Sequence, residues 1–226
     1  VVSVDGLTPF FRKSINGVSG EQDIVFDCIA AFRIPHMEVH AVVHRYIVLH
    51  GAENSFAELD LHRNGLVIDT NDALGGDGPI SPERAGSVPG FPLVEMCFSG
   101  KYTKDEIKKK LVGKGGAVAY FGTNDLRVVA ARADEGDQEC QVFLKGFAVS
   151  VAKYIGSLAT VVGGKVDAIV LTGGIANSKQ IVADIIDKVG FIAPVEVYAG
   201  ENELESLAEN GYGILAGEFE IKYYHR

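Results

Sequence analysis

Val166-Asp-Ala-Ile-Val-Leu-Thr-Gly-Gly-Ile-Ala-Asn177 passes from an apolar run through a pair of glycines into the start of a new element. Val166 to Thr172 reads as a buried strand, because its apolar residues do not alternate with polar ones. Beyond the glycines, Ile181, Val182, Ile185, Ile186 and Val189 recur at helical spacing, and Gly190 closes that helix. Phe191 to Val197 reads as the next strand. Leu204, Leu207, Ala208, Tyr212 and Leu215 mark the apolar face of a last helix. The order strand, helix, strand, helix calls for parallel strands joined by a crossover helix.

Upstream the pattern changes to an antiparallel meander. Tyr46-Ile-Val-Leu-His50 is a short apolar strand. Ser55 to Leu61 alternates loosely and runs into His62-Arg-Asn-Gly65, where Asn-Gly is a strong hairpin signal. Leu66-Val-Ile-Asp69 returns as the partner strand. The glycine- and proline-rich stretch from Asn71 to Pro92 is too long for an idle connection, and long ordered loops are usually functional. Pro92 suits the first turn of a helix ending at Gly100, and Thr103-Lys-Asp-Glu106 is a capping box opening a second, stopped at Gly113. Gln138 to Val162 reads as a long helix, apolar on most sides and expected between layers. In the weakly periodic first 45 residues, Asp23 to Phe32 suggests a short helix. A meander followed by βαβα predicts an α/β domain with a mixed sheet and flanking helices, its ligand at the carboxyl ends of the strands.

Composition narrows the function classes. A net charge of −9 over 226 residues argues against a nucleic-acid surface, which needs an excess of Lys and Arg. It leaves nucleotide binding open, since backbone N–H groups and a few cations suffice there. The 27 glycines exceed the usual share of about 7%, so tight turns or close backbone approaches are expected. Cys28, Cys97 and Cys140 are dispersed and odd in number, which fits reduced thiols in a cytoplasmic protein. The opening VVSVDGLTPF has no signal-peptide pattern, and Lys145 and Lys153 interrupt the apolar segment Gln141 to Gly164, so no membrane span is expected. A first residue of Val rather than Met fits a processed or partial chain.

Four groups of residues have chemical potential. Gly173 and Gly174 sit where a strand meets a helix, so the turn reads either as a plain connection or as a cradle for phosphate or ribose. Arg84 lies in a rigid glycine-rich loop among carboxylates, as a ligand for a transferring phosphoryl group or as a surface partner of Glu83 or Asp77. Gly113-Lys-Gly-Gly116, with Gly122-Thr-Asn-Asp125, resembles a phosphate loop superficially but lacks its frame. His36, His40 and His44 are spaced for one helix face around Glu38, either a metal face or a solvated histidine face.

Taken in order, HRNG, NDALGGDGPISPERAG, CFSGKYT, KKKLVGKGG, AYFGTND, VDAIVLTGG and FIAPVEVYAGENE resemble the butyrate kinases of the acetate kinase family, in the actin-like ATPase superfamily. The resemblance runs from about Tyr46 to Tyr224. It implies two ribonuclease-H-like domains with the active site in the cleft between them. Residues 46–226 would be the C-terminal, nucleotide-binding domain, and residues 1–45 a divergent remnant of the first domain or an inter-domain connection.

By motif, Gly173, Gly174 and Ile175 resemble the adenosine-binding turn, with Asn177 beside it. Arg84 resembles the arginine that stabilises the transferring phosphoryl group, reached through Asp69 and Asn71, and Glu203 resembles the acidic residue near Mg²⁺. His50 and Gly51 retain the start of the family's phosphate loop HMGGGIS. That loop here continues Ala52-Glu53-Asn54-Ser55, without the later glycines and with an added negative charge. Arg12-Lys-Ser-Ile15 matches a family RKSI, but Asn16-Gly-Val-Ser-Gly-Glu21 replaces the FHALNQ that follows. Val4-Asp5 resembles the family's catalytic VDP aspartate, at a shorter spacing to Arg12.

The implied reaction is phosphorylation of butanoate by ATP with Mg²⁺, giving butanoyl phosphate and ADP. The implied partners are a short-chain carboxylate such as butyrate or isobutyrate and further copies of the chain in a homo-oligomer. The alternative is a non-catalytic nucleotide-binding or dimerisation module derived from the same family.

Overall fold

The computed structural model describes residues 45–51, 57–64, 66–73, 75–200 and 203–218. Asp5, Cys28, the histidines at 36, 40 and 44 and the helix expected at Asp23 to Phe32 lie outside the described residues.

Five strands form one mixed sheet: β1 (Arg45–Gly51), β2 (Ala57–Arg63), β3 (Leu66–Thr70), β4 (Ala168–Gly173) and β5 (Val195–Ala199). Their order is β3-β2-β1-β4-β5. The first three strands pair antiparallel, whereas β1 with β4 and β4 with β5 pair parallel. This is the meander followed by a parallel crossover that the sequence patterns predict. Asn64, with a φ of 53°, makes the tight turn between β2 and β3. Asn is among the few residues that tolerate that backbone.

Alternation along the strands sorts the two faces. Ile47, Leu49, Leu59, Leu61, Ile169 and Leu171 share one face and are all buried. Helix α5 (Gln138–Val161) covers them with Phe147, Val151 and Ile155. Full burial of such side chains is worth about 1.5–3 kcal/mol each. Helix α6 (Lys179–Val189) adds Ile181, Ile185 and Val189 to the same core. The opposite face is more polar: buried Asp60 and His62 lie there, with the His62 ring stacked on Tyr46 at 4.6 Å.

Between β3 and α5 the chain builds α1 (Gly90–Phe98), α2 (Lys104–Leu111), α3 (Gly116–Phe121) and α4 (Leu126–Asp134). The capping box opens α2 as expected, Glu106 N–H donating to Thr103 Oγ1 and Thr103 N–H to the Glu106 carboxylate. Helices α3 and α4 were not anticipated; Asp125 caps α4, and α3 ends at Gly122 with a φ of 72°.

Three expectations need correction. β5 begins at Val195, not Phe191, because Phe191 and Ile192 are used in leaving α6 and Pro194 has no N–H for a ladder. Helix α5 is not enclosed between layers: its buried face packs on the sheet, while Val142 on the outer face is 70% exposed. On α7 (Glu203–Leu215), Tyr212 and Leu215 are exposed instead of facing the core. Helix α5 is long and apolar enough to cross a membrane by length and composition, but its buried face makes it a core helix.

Candidate active site

Three neighbouring strands finish on or just before a glycine at one end of the sheet. Gly51 of β1 lies in register with Gly173 of β4. Gly173 is bridged in turn to Gly200 just beyond β5, whose N–H donates to the Gly173 carbonyl at 3.0 Å. Gly173 has a φ of 79° and Gly200 a φ of 99°, conformations that favour glycine. The result is a row without side chains across the carboxyl ends of β1, β4 and β5, where α/β sheets bind their ligands.

The chain leaves Gly173 through a 3-10 turn, Gly174–Asn177, and enters α6 at Ser178, whose hydroxyl accepts the Ile181 N–H. Asn177 Nδ2 donates to the Gly174 carbonyl at 3.1 Å and so braces the turn. The Ile175 side chain is buried in the core, so only its backbone faces the strand ends. His50 and Gly51 close β1 beside Thr172 and Gly173, and Glu203 opens α7 just after Gly200. Gly51, Gly173, Gly174 and the heads of two following segments are therefore brought to one end of the sheet.

Arg84 lies in the loop after β3. Asn71 anchors that loop: its Oδ1 accepts the Leu59 N–H at 2.7 Å and its Nδ2 donates to the Asp77 carbonyl at 3.0 Å. Around Arg84 the backbone is held by α2 and α3. Arg84 bridges Val112, and the Ala85 N–H donates to the Leu111 carbonyl at 3.0 Å. The N–H groups of Gly113 and Gly115 both donate to the Glu83 carbonyl, and those of Ala117 and Val118 to Ser81 and Pro82. These donors are spent on protein carbonyls, so the Gly113–Gly116 segment is a packing motif and not a phosphate loop. Its glycines are needed because a side chain on Gly115 or Gly116 would collide with the backbone of Ser81, Arg84 and Ala85. Asn124 fixes Glu83 from the other side, Nδ2 donating to Oε1 at 3.0 Å.

Arg84 is only 3% exposed, so it is not a surface residue. Burial pushes its pKa below the ordinary arginine value, while the charges of Glu58, Asp72 and Glu83 act in the opposite sense. An arginine nonetheless stays charged in a protein. Glu58 pairs with His50 across the β1–β2 ladder. Its charge is thus felt at Arg84 from the rung next to Gly51. Two residues of this site went unnoticed in the sequence. Gly200 was visible within YAGENE, but Glu58 lies in a stretch without a motif.

The pattern of the acetokinase family matches residues 45–212. Butyrate kinase 2 of Clostridium acetobutylicum is 52% identical over 163 residues, which are 72% of this chain and 46% of that protein. A probable butyrate kinase of Clostridium botulinum is 50% identical over 163 residues, with the same shares of 72% and 46%. The chain spans about half the length of these relatives. Among solved structures, the acetate kinase of Porphyromonas gingivalis superposes with a TM-score of 0.67 at 20% identity, covering 76% of this chain and 49% of that one, a likeness of fold. Because the matched span takes in the whole sheet, the arginine loop and the glycine turn, the chain belongs to the acetokinase family.

Proposed function

We propose that residues 46–226 form the nucleotide-binding domain of a short-chain carboxylate kinase that converts ATP and butanoate to ADP and butanoyl phosphate. The observation that carries this reading is that buried Arg84 feels the charge of Glu58, the ladder partner of His50, next to the Gly51 that lines up with Gly173 and Gly200. Nucleotide lies along the glycine row, with adenosine at Gly173, Gly174, the Ile175 backbone and Asn177, and phosphates towards His50 and Gly51. A carboxylate oxygen, already ionised near neutral pH, attacks the γ-phosphorus as the bond to the ADP oxygen breaks. Arg84 neutralises charge on the equatorial oxygens of the transferring group. Asp5 is assigned to the reaction by its motif, and residues 1–45 to the first domain or the connection to it.

The reading assigns Mg²⁺ to the nucleotide phosphates. Among the described residues no cluster of three metal-ligating side chains occurs, and Mg²⁺ held mainly by nucleotide phosphates needs only one or two carboxylates. Glu203 is the carboxylate assigned to it, and the bound ion supplies charge neutralisation at the phosphates. The same reading places the protein in the cytoplasm as a homo-oligomer.

Glu53, where the family has glycine, favours a second reading, a non-catalytic nucleotide-binding or dimerisation module. Trapping acyl phosphate as hydroxamate, with ATP, Mg²⁺ and butyrate, separates the two. Hydroxamate that depends on ATP supports the kinase. Heat of MgATP binding by calorimetry without hydroxamate favours the module. The absence of both heat at millimolar nucleotide and product removes the nucleotide site altogether.

A further inference from the structure

The arginine loop is also held from beneath, by two side chains one turn apart on α5. Ser150 Oγ accepts the Ile80 N–H at 3.1 Å. The Tyr154 hydroxyl meets three groups: Asp77 Oδ1 at 3.0 Å, the Gly78 N–H at 3.2 Å and Ser87 Oγ at 3.0 Å. A phenol has one hydrogen and a carboxylate only accepts, so Tyr154 donates to Asp77 while Gly78 and Ser87 donate to it. These partners flank Arg84. Asp77 and Gly78 lie on the leg of the loop that approaches it, and Ser87 on the leg that departs. The helix that carries Tyr154 is anchored by Phe147, Val151 and Ile155, all fully buried, so the hydroxyl is a fixed reference point.

We propose that Tyr154 is a positioning residue for Arg84. Its hydroxyl ties the two legs of the loop to each other and to the core helix, and so sets where the guanidinium points. For catalysis this rests on the role proposed above for Arg84; the tie itself does not. Phosphoryl transfer depends on placing charge where it develops, and a displacement of about 1 Å costs on the order of 10²-fold in rate. The tip of the loop is held separately by α2 and α3, so loss of the hydroxyl loosens the legs without unfolding the chain.

The test is Tyr154→Phe in the full chain, which keeps the ring and removes only the hydroxyl, with Ser87→Ala removing one leg alone. Phenylglyoxal labelling followed by peptide mass spectrometry reads the arginine directly. Arg84 should label faster in Tyr154→Phe and to an intermediate degree in Ser87→Ala, with Arg45 and Arg132 unchanged as internal controls. In the hydroxamate assay, kcat should fall by about tenfold while KM for ATP holds. Unchanged labelling of Arg84 overturns the proposal, and so does faster labelling with unchanged turnover. A wild-type chain that makes no hydroxamate counts against the kinase reading, and the labelling then decides the positioning of Arg84 by itself.

Discussion

Gly116 presses so closely on the carbonyl of Ser81 that no side chain fits between them. This contact joins the start of α3 to the loop that carries Arg84 and makes that loop part of the packed interior. Gly116→Ala should therefore cost stability far from any ligand. A φ of 52° adds about 1–2 kcal/mol of left-handed strain to an overpacking penalty of about 1–3 kcal/mol. Urea unfolding should show a clear drop in midpoint. Gly113→Ala, where an added Cβ has open space, should pay only the backbone cost. Equal midpoints for the two variants would refute the packing role.

Gly146 and Gly156 give the opposite expectation. Both lie within α5, and an added Cβ at either meets nothing within 4 Å. Glycine inside a helix costs roughly 0.5–1 kcal/mol relative to alanine. Gly146→Ala and Gly156→Ala should each raise the melting temperature. A fall at either position would mean that something packs on the outer face of α5 in solution.

These glycines show what the sequence could and could not reveal. The strand at Ala168–Gly173 and its glycine turn were legible because an apolar run, a break and a helical period are all local signals. The hairpin at Asn64 was legible for the same reason. Gly113-Lys-Gly-Gly116 was not, since a glycine that admits a ligand and one that admits a neighbouring backbone look alike until the neighbour is known. Helix α3 is hidden by its brevity, and it starts by donating to Ser81 and Pro82 across the loop and not to a local cap. At the candidate site, the motifs single out Arg84 and Gly173. The proximity of Glu58 and the three-way bond at Tyr154 depend on distant elements meeting, and no spacing records that.

The start of α5 offers a test against pH. Asp137 Oδ1 accepts the N–H groups of Glu139 and Cys140, and Oδ2 takes two bonds from Arg132, at 2.6 and 3.0 Å. The Cys140 N–H first, and Arg132 next, hold its pKa below the usual aspartate value. A carboxylate depressed in the folded state stabilises above its unfolded pKa, and that share is lost as pH falls through the folded value. Asp137→Asn should thus be less stable than wild type at about pH 7, and the gap should be narrower at about pH 3, below the ordinary aspartate value. Thermal melts at the two pH values measure it. A gap of the same size at both would show that the charge on Asp137 contributes nothing.

Arg84→Lys asks whether the site needs a guanidinium or only a positive charge. The position is buried, and burial already works against charge there, with Glu58, Asp72 and Glu83 as the counterweight. Lysine is a shorter point charge that loses its proton readily when desolvated, and it cannot bridge two phosphoryl oxygens as a planar fork does. Turnover in the hydroxamate assay should fall by about 10²–10³-fold, with calorimetric affinity for MgATP nearly unchanged. The pH profile should change as well. Protonated lysine is the useful form, so the residual rate should decline as pH rises through its lowered pKa, over a range where arginine in the wild type stays charged. A variant that keeps wild-type turnover would remove Arg84 from the chemistry. One that loses turnover with a flat pH profile would show that the geometry of the fork, and not the charge, limits the rate.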